Sequence, residues 1–116
     1  MRIRAAALNP KDALVRAGKF GRLAGPAFPK RMGYDFAGTV SSIGIGVSQL
    51  AVGDAVFGMI QSWDAGAFAE FAAVPVDQLA LKPPSLEFHE AAALPLAALT
   101  APAGRTGRCR PEFPLR

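Results

Sequence analysis

Residues 33–58 read Gly-Tyr-Asp-Phe-Ala-Gly-Thr-Val-Ser-Ser-Ile-Gly-Ile-Gly-Val-Ser-Gln-Leu-Ala-Val-Gly-Asp-Ala-Val-Phe-Gly and give the clearest structural prediction in the sequence. β-Branched and aromatic residues lie between Gly and Gly-Asp punctuation, which predicts two strands, Asp35–Ile43 and Asp54–Ile60, joined by a glycine-bearing connection. Gly38, inside the first strand, predicts a bulge or a close approach of two backbones. Gly53-Asp54 predicts a turn, because glycine supplies a positive φ and the carboxylate can accept backbone N–H bonds. The rest of the chain is expected to pack around this strand pair.

The segment before the pair predicts a strand, a helix and a loop. Arg2–Leu8 can form the strand. The helix follows from Asn9 to Gly18, since Asn suits the N-cap, Pro the first helical position and Gly the end. Glycines and prolines over 19–31 break any periodicity and predict a loop.

The segment after the pair predicts two strands and two helices. Ala67–Val74 alternates with period two, which predicts a strand with two differently used faces, and Gln78–Leu81 predicts a shorter one. Glu87 opens an alanine-rich helix that Pro95 should break and restart. Residues 102–116 contain three prolines and two glycines and are expected to be irregular.

Size and composition predict a single soluble domain. The chain has 116 residues, of which 51% are hydrophobic and 19% charged, with 12 Gly and 10 Pro. This composition favours a turn-rich, mainly β fold with short helices. The net charge of +4 is concentrated in 105–116, which carry a net +3, so the body lacks the footprint of a nucleic-acid binder.

Cysteine and histidine usage argues against disulfides and metal. The single Cys and the single His lack ligand spacing, and no apolar run predicts a membrane span or a signal peptide. A cytoplasmic protein without a membrane partner is expected.

Three motifs in order carry a family resemblance: Gly-Tyr-Asp-Phe-Ala-Gly-Thr-Val from Gly33, Val-Gly-Asp-Ala-Val-Phe from Val52, and Gly-Ala-Phe-Ala-Glu-Phe from Gly66. They resemble the GroES-like, alcohol-dehydrogenase-type N-terminal domain of the medium-chain dehydrogenase/reductase superfamily. The likeness is to its zinc-free branch of quinone oxidoreductases and related enone reductases. It implies a GroES-like, partly open β-barrel over residues 1–101, lacking the family's first strands and without a complete Rossmann domain, followed by a non-family tail over 102–116.

The resemblance also implies a cofactor and its contacts. The intact relative would use NADPH or NADH to reduce a quinone, an enone or a related small molecule, and a homodimer is possible there. Zinc is not expected, because the family's Cys near Asn9 is missing and Tyr34 replaces its His. Asn9 and Thr100 would lie near the nicotinamide, although Asn9 could serve only as a helix cap and Thr100 could bond within its helix.

Substrate-lining residues follow from the same resemblance. Leu14 and Phe20 match positions that are often tyrosines in quinone reductases, so a more apolar pocket is expected, and Tyr34 joins them; a plain core role is the alternative for each. Asp35 is expected to anchor backbone or pair with an Arg rather than act as an acid. His89 is interpreted as a solvated surface residue. Gly44-Ile-Gly resembles the start of a dinucleotide fingerprint but lacks the strand-turn-helix context, so a plain turn is expected.

Two other function classes remain open. A co-chaperonin subunit shares this fold and would need a hydrophobic partner loop and ring assembly. A non-catalytic interaction module would pair through an exposed sheet edge. The sequence suggests a reductase domain that would not catalyse the reaction by itself, because no pyrophosphate-binding segment is apparent.

Overall fold

The structure is a computed structural model that describes residues 1–19, 31–60 and 66–106, apart from the side chains of 102–106. Within these residues, four strands form one antiparallel sheet in the order β1-β2-β3-β4. The strands are β1 (Arg2–Ala7), β2 (Asp35–Thr39), β3 (Ala55–Met59) and β4 (Leu79–Leu81), and the helices are α1 (Pro10–Arg16), α2 (Phe88–Ala92) and α3 (Pro95–Thr106). A 3₁₀ turn, Val76–Gln78, leads into β4. The expectation of a mainly β fold with short helices is confirmed, and the strands expected to form a partly open barrel form an open antiparallel sheet.

Strand β2, one of the two inner strands, has a small hydrophobic core on each face. Phe36 packs with Ile60 and Ala67 on one face of the sheet. Ala37, the next residue, packs with Ala91 and Ala92 of α2 on the other face. Successive side chains of a strand point to opposite faces, so the alternation places Asp35 on the same face as Ala37, toward the helices.

The glycine predictions in the strand pair are confirmed. A Cβ at Gly38 would lie 2.1 Å from the carbonyl oxygen of Arg2, so β1 and β2 approach too closely for a side chain there. The register of β1 shifts between Ile3 and Ala5, opposite this glycine. Gly53 has φ +98°, and the Asp54 carboxylate accepts the Ala51 N–H at 2.8 Å.

The predicted strand over Ala67–Val74 was wrong as a regular strand. This segment forms one isolated bridge, between Phe71 and Arg2, made by the bonds from the Ile3 N–H to the Glu70 carbonyl and from the Ala72 N–H to the Met1 carbonyl. The Met1 amino group also donates to the Ala72 carbonyl. At the start of the segment, the Ala67 and Phe68 N–H groups donate to the carbonyls of Gly33 and Met32. Its backbone partners change from residues 32–33 to residues 1–3 along the segment, so no single strand supplies a continuous ladder. The period-two pattern is still seen in the burial of side chains, because Ala72 and Val74 both pack against the Phe36 core.

The helices α2 and α3 begin where Glu87 and Pro95 predict. Glu87 is the N-cap of α2, and its N–H is accepted by the Glu90 carboxylate at 2.8 Å. α3 begins at Pro95 but continues to Thr106, so the prediction of irregular structure was wrong for residues 102–106. Pro102 removes one helical N–H and lowers the stability of the helix, yet its fixed φ is compatible with helical backbone and α3 continues past it. Residues 107–116 lie outside the described part of the chain.

No helix within the described ranges is both long and apolar enough to cross a membrane.

Candidate functional site

The Asp35 carboxylate, at the start of β2, is the centre of the candidate site. The side chain is 1% exposed. Its Oδ2 accepts the side-chain amide of Asn9 at 3.0 Å. The main-chain N–H of Leu96 lies 3.1 Å from Oδ1 and 3.2 Å from Oδ2. One buried carboxylate therefore joins β2, the β1–α1 junction and α3, in the backbone-anchoring role expected for it.

The position of Pro95 explains why α3 depends on Asp35. Pro95 occupies the first position of the helix and has no N–H, so the first amide that α3 presents belongs to Leu96. The carboxylate that accepts it also places a negative charge at the positive end of a 12-residue helix. Asp35 thus caps α3 from another part of the fold.

A second buried carboxylate, Asp12, fixes the main chain beside the first. Asp12 lies in the first turn of α1 and is 1% exposed. Its Oδ2 accepts the Asn9 N–H at 2.9 Å, and its Oδ1 accepts the Gly33 N–H at 3.1 Å. Gly33 has φ +90°, and a Cβ there would lie 2.7 Å from the Phe68 nitrogen. Asp12 therefore holds the start of α1 against the residue that precedes Tyr34.

Two groups at the site have perturbed acidity. Burial raises the pKa of Asp35, and the charge of Asp12 adds to this, while the bonds from Asn9 and Leu96 act in the opposite direction. Burial also raises the pKa of Tyr34, with a further contribution from Asp12. The Lys11 ammonium lies 4.0 Å from the centre of the Tyr34 ring, a cation–π contact.

The structure connects the two residues that we expected to face the cofactor. Asn9 binds Asp35 directly. Thr100 is exposed one turn into α3, and its hydroxyl donates to the Leu96 carbonyl at 2.6 Å. The Thr100 bond is the helical back-bond that was its alternative role, and it ends on Leu96, the residue through which α3 reaches Asp35 and Asn9.

The predicted substrate-lining residues are distributed differently. Tyr34 is buried beside Asp35 and below Lys11. Leu14 lies on α1 and is 43% exposed. Phe20 lies outside the described residues. His89 is an exposed residue of α2, as expected.

Sequence reasoning missed three contributors to the site: Asp12, Leu96 and Lys11. Asp three residues after Asn is a capping signature, so the bond from the Asn9 N–H to Asp12 had a signal. Nothing local signalled that Asp12 would also bind Gly33 or that Leu96 would reach Asp35, because these bonds join residues 21 and 61 positions apart.

The chemistry available here is hydrogen bonding and orientation. The Asn9 amide keeps a second N–H beyond the one given to Asp35. Both buried carboxylates already accept protein N–H groups. Within the described ranges, no three His, Cys, Asp or Glu side chains form a group that could hold a metal ion. Exposed apolar surface adjoins the polar cluster at Leu8, which is 75% exposed and directly precedes Asn9.

Comparisons with known proteins agree with this architecture. The chain is 42% identical over 110 residues to the NADPH-dependent alkenal/one oxidoreductase, chloroplastic, of Arabidopsis thaliana, covering 90% of this chain and 28% of that protein. It is 47% identical over 107 residues to the 2-methylene-furan-3-one reductase of Solanum lycopersicum, covering 87% and 27%. An alcohol dehydrogenase superfamily protein from Novosphingobium aromaticivorans superposes with a TM-score of 0.83 and 41% identity, covering 92% of this chain and 33% of that one.

The chain spans just over a quarter of the length of these curated relatives. Its residues 1–84 match the alcohol dehydrogenase GroES-like domain. The related proteins are oxidoreductases, and the open antiparallel sheet with short helices is the GroES-like fold. The chain therefore belongs to the alcohol dehydrogenase GroES-like domain family of the medium-chain dehydrogenase/reductase superfamily.

Proposed function

We propose that this domain forms the nicotinamide- and substrate-facing wall of an NADPH-dependent reductase that acts on alkenals, enones or quinones. The observation that carries the proposal is the bonded link from Asn9 through Asp35 to Leu96 and Thr100. It joins Asn9, at the start of α1, to Thr100 in α3. The resemblance associates both of these residues with the nicotinamide. The relatives' names, an NADPH-dependent alkenal/one oxidoreductase and a furanone reductase, support the same chemistry.

The chain's own residues would bind and orient. When bound, the cofactor supplies a hydride for the electron-poor carbon of the conjugated acceptor, and water supplies the proton. The second N–H of Asn9 and the Thr100 hydroxyl suit the amide and carbonyl groups of such ligands. Exposed Leu8 and Leu14 suit their apolar parts. Fixed positions matter because hydride transfer depends on a near-attack arrangement of donor and acceptor.

We propose that this chemistry proceeds without zinc. The donors gathered at Asp35 are an amide, a phenol ring and two carboxylates that already accept N–H bonds. A structural or catalytic zinc site requires Cys, His or carboxylate ligands that can turn to the metal. The cluster is better suited to hydrogen bonding.

Nuclear magnetic resonance of the ¹⁵N-labelled chain tests the proposal. The probes are 1-benzyl-1,4-dihydronicotinamide and 2-cyclohexenone, with benzyl alcohol as the control for nonspecific apolar binding. We expect the dihydronicotinamide to shift the signals of the Asn9 side chain, Tyr34 and Leu96–Thr100, and the control to leave them in place. Shifts confined to other regions, or identical shifts with benzyl alcohol, would contradict the proposal.

NADPH serves as a third probe in the same experiment. Its pyrophosphate would find no Gly-rich turn between a parallel strand and a helix within the described residues, since all strand pairs there are antiparallel. NADPH is therefore expected to bind this chain about as weakly as the dihydronicotinamide fragment. Much tighter binding of NADPH would place a pyrophosphate site in this chain.

One observation favours a second candidate, a partner-binding module of the co-chaperonin kind. Ile45 is fully exposed at the tip of a turn, between Gly44 and Gly46, and Val52 is 64% exposed in the same connection. A hydrophobic turn is what such a partner loop needs. Sedimentation analysis separates the candidates, because a ring-forming module assembles into a defined oligomer.

A further inference from the structure

We infer that Asp35 is a positioning residue that orients the Asn9 amide and places Thr100 for the nicotinamide; this rests on the proposed function. Asn9 and Thr100 belong to different elements, and the bonds described above do not join them directly. The same carboxylate holds both, directly in one case and through Leu96 in the other.

The main chain and the side chain of Asn9 are bound by different carboxylates, so the contribution of Asp35 can be separated. The main chain of Asn9 is already fixed by Asp12, whose carboxylate accepts its N–H at 2.9 Å. The bond from Nδ2 to Asp35 therefore acts on the side chain alone. A carboxylate accepts hydrogen bonds and donates none, so it selects the amide orientation in which Nδ2 faces Asp35. The remaining N–H of that amide is consequently held in one direction.

The second branch runs along α3. Leu96 donates its N–H to both oxygens of Asp35, and its carbonyl accepts the Thr100 hydroxyl at 2.6 Å. The Thr100 side chain is thus bonded to the same residue whose N–H Asp35 anchors. Moving the carboxylate would shift the start of α3 and, with it, the hydroxyl one turn later.

Substitution Asp35→Asn tests the inference with nearly unchanged volume. An Asn at this position has one acceptor oxygen and a donor, so it can bind the Asn9 amide in either orientation and cannot serve both partners equally. Asp54→Asn is the matched control, because Asp54 also accepts a backbone N–H, from Ala51, in a distant turn.

The free chain gives the decisive spectra. In Asp35→Asn we expect the Asn9 side-chain signals to move and the Leu96 amide to exchange with solvent about tenfold faster, since a local bond has been lost. Asp54→Asn should leave both groups as in the wild type. A folded Asp35→Asn chain whose Asn9 and Leu96 signals match the wild type would overturn the inference.

The liganded chain adds a readout that a purely structural role would not move. With 1-benzyl-1,4-dihydronicotinamide, Asp35→Asn is expected to weaken binding about fivefold, the effect of one misdirected hydrogen bond. Unchanged affinity in a wild type that does bind would overturn the inference. If the wild type fails to bind, the proposed function falls, and the free-chain spectra still decide the role of Asp35.

A second variant covers the case in which Asp35→Asn does not fold. Asn9→Ala keeps Asp35 and its bond to Leu96 but removes the amide that Asp35 orients. We expect the Leu96 amide to behave as in the wild type while affinity for the same probe falls about fivefold. Wild-type affinity in Asn9→Ala would overturn the inference.

Discussion

The Asp35 carboxylate accepts the main-chain N–H of Leu96 at 3.1 Å, across 61 residues of sequence. Removing the carboxylate in Asp35→Ala leaves that N–H and the Asn9 amide without their acceptor in a buried place. We expect the free energy of unfolding to fall by about 2 kcal/mol, because buried hydrogen bonds to a charged group are among the stronger ones. Urea denaturation measures this. Asp54→Ala, which removes an exposed bond, should cost about 0.5 kcal/mol; equal losses would contradict a special role for Asp35.

The raised pKa of Asp35 predicts a distinctive pH dependence. The folded state holds the Asp35 proton more tightly than the unfolded state, in which the pKa of Asp35 is near 3.8. The extra stability that protonation of Asp35 gives is therefore fully present below pH 3.8 and is lost as pH rises through its folded pKa, while the bonds that the carboxylate accepts from Asn9 and Leu96 remain.

Urea unfolding of the wild type and Asp35→Asn across the acid range isolates this contribution. Asp12, whose charge also raises the pKa of Asp35, is present in both proteins. The stability of the wild type relative to Asp35→Asn should decrease with rising pH above 3.8 and then become constant. An increase over that range would mean that the bonds from Asn9 and Leu96 outweigh burial.

Gly33 and Gly46 form a matched pair for testing the close packing beside Tyr34. Their φ values are +90° and +84°, so alanine strains the backbone similarly at both. A Cβ at Gly46 meets nothing within 4 Å, whereas one at Gly33 lies 2.6 Å from the Phe68 ring. Gly46→Ala should cost about 1 kcal/mol and Gly33→Ala about 3 kcal/mol, because overpacking adds to the strain. Thermal or urea unfolding compares them; similar costs would show that Phe68 moves aside freely.

Tyr34 is the single tyrosine of the chain, so its ionisation can be followed by absorbance alone. Its pKa is raised above 10.0 by burial and by the negative charge of Asp12. Asp12→Asn removes that charge and should lower the pKa of Tyr34 toward 10.0. Asp54→Asn serves as the control and should leave the titration unchanged. A Tyr34 titration that is identical in Asp12→Asn and the wild type would rule out electrostatic contact between the two groups.

Local signals in the sequence were sufficient for most of the fold. Asn9 and Pro10 start α1, Gly53 and Asp54 make the predicted turn, and Pro95 starts α3. These predictions succeeded because each depends on the chemistry of one or two neighbouring residues. The predictions for Ala67–Val74 and for residues 102–106 were wrong. A regular strand needs one continuous partner strand, and α3 continues past Pro102 although that residue removes an N–H.

The site was harder to predict than the fold. The resemblance singled out Asn9, Tyr34 and Thr100, and the sequence suggested that Asp35 would anchor backbone. Which backbone it anchors is decided by the packing of α3 over β2, so the bond to Leu96 could not be inferred from spacing. The same holds for Asp12, whose capping pattern signals its bond to Asn9 but leaves the bond to Gly33 unpredicted.

An isotope-filtered nuclear Overhauser experiment on the labelled chain with 1-benzyl-1,4-dihydronicotinamide tests whether Asn9 and Thr100 face the nicotinamide. It detects which protein protons lie close to the dihydronicotinamide ring. We predict contacts from the ring to the Asn9 side-chain amide and to the Thr100 methyl group. Contacts to the turn around Ile45 instead, with none to Asn9 or Thr100, would contradict the assignment of a nicotinamide-facing site.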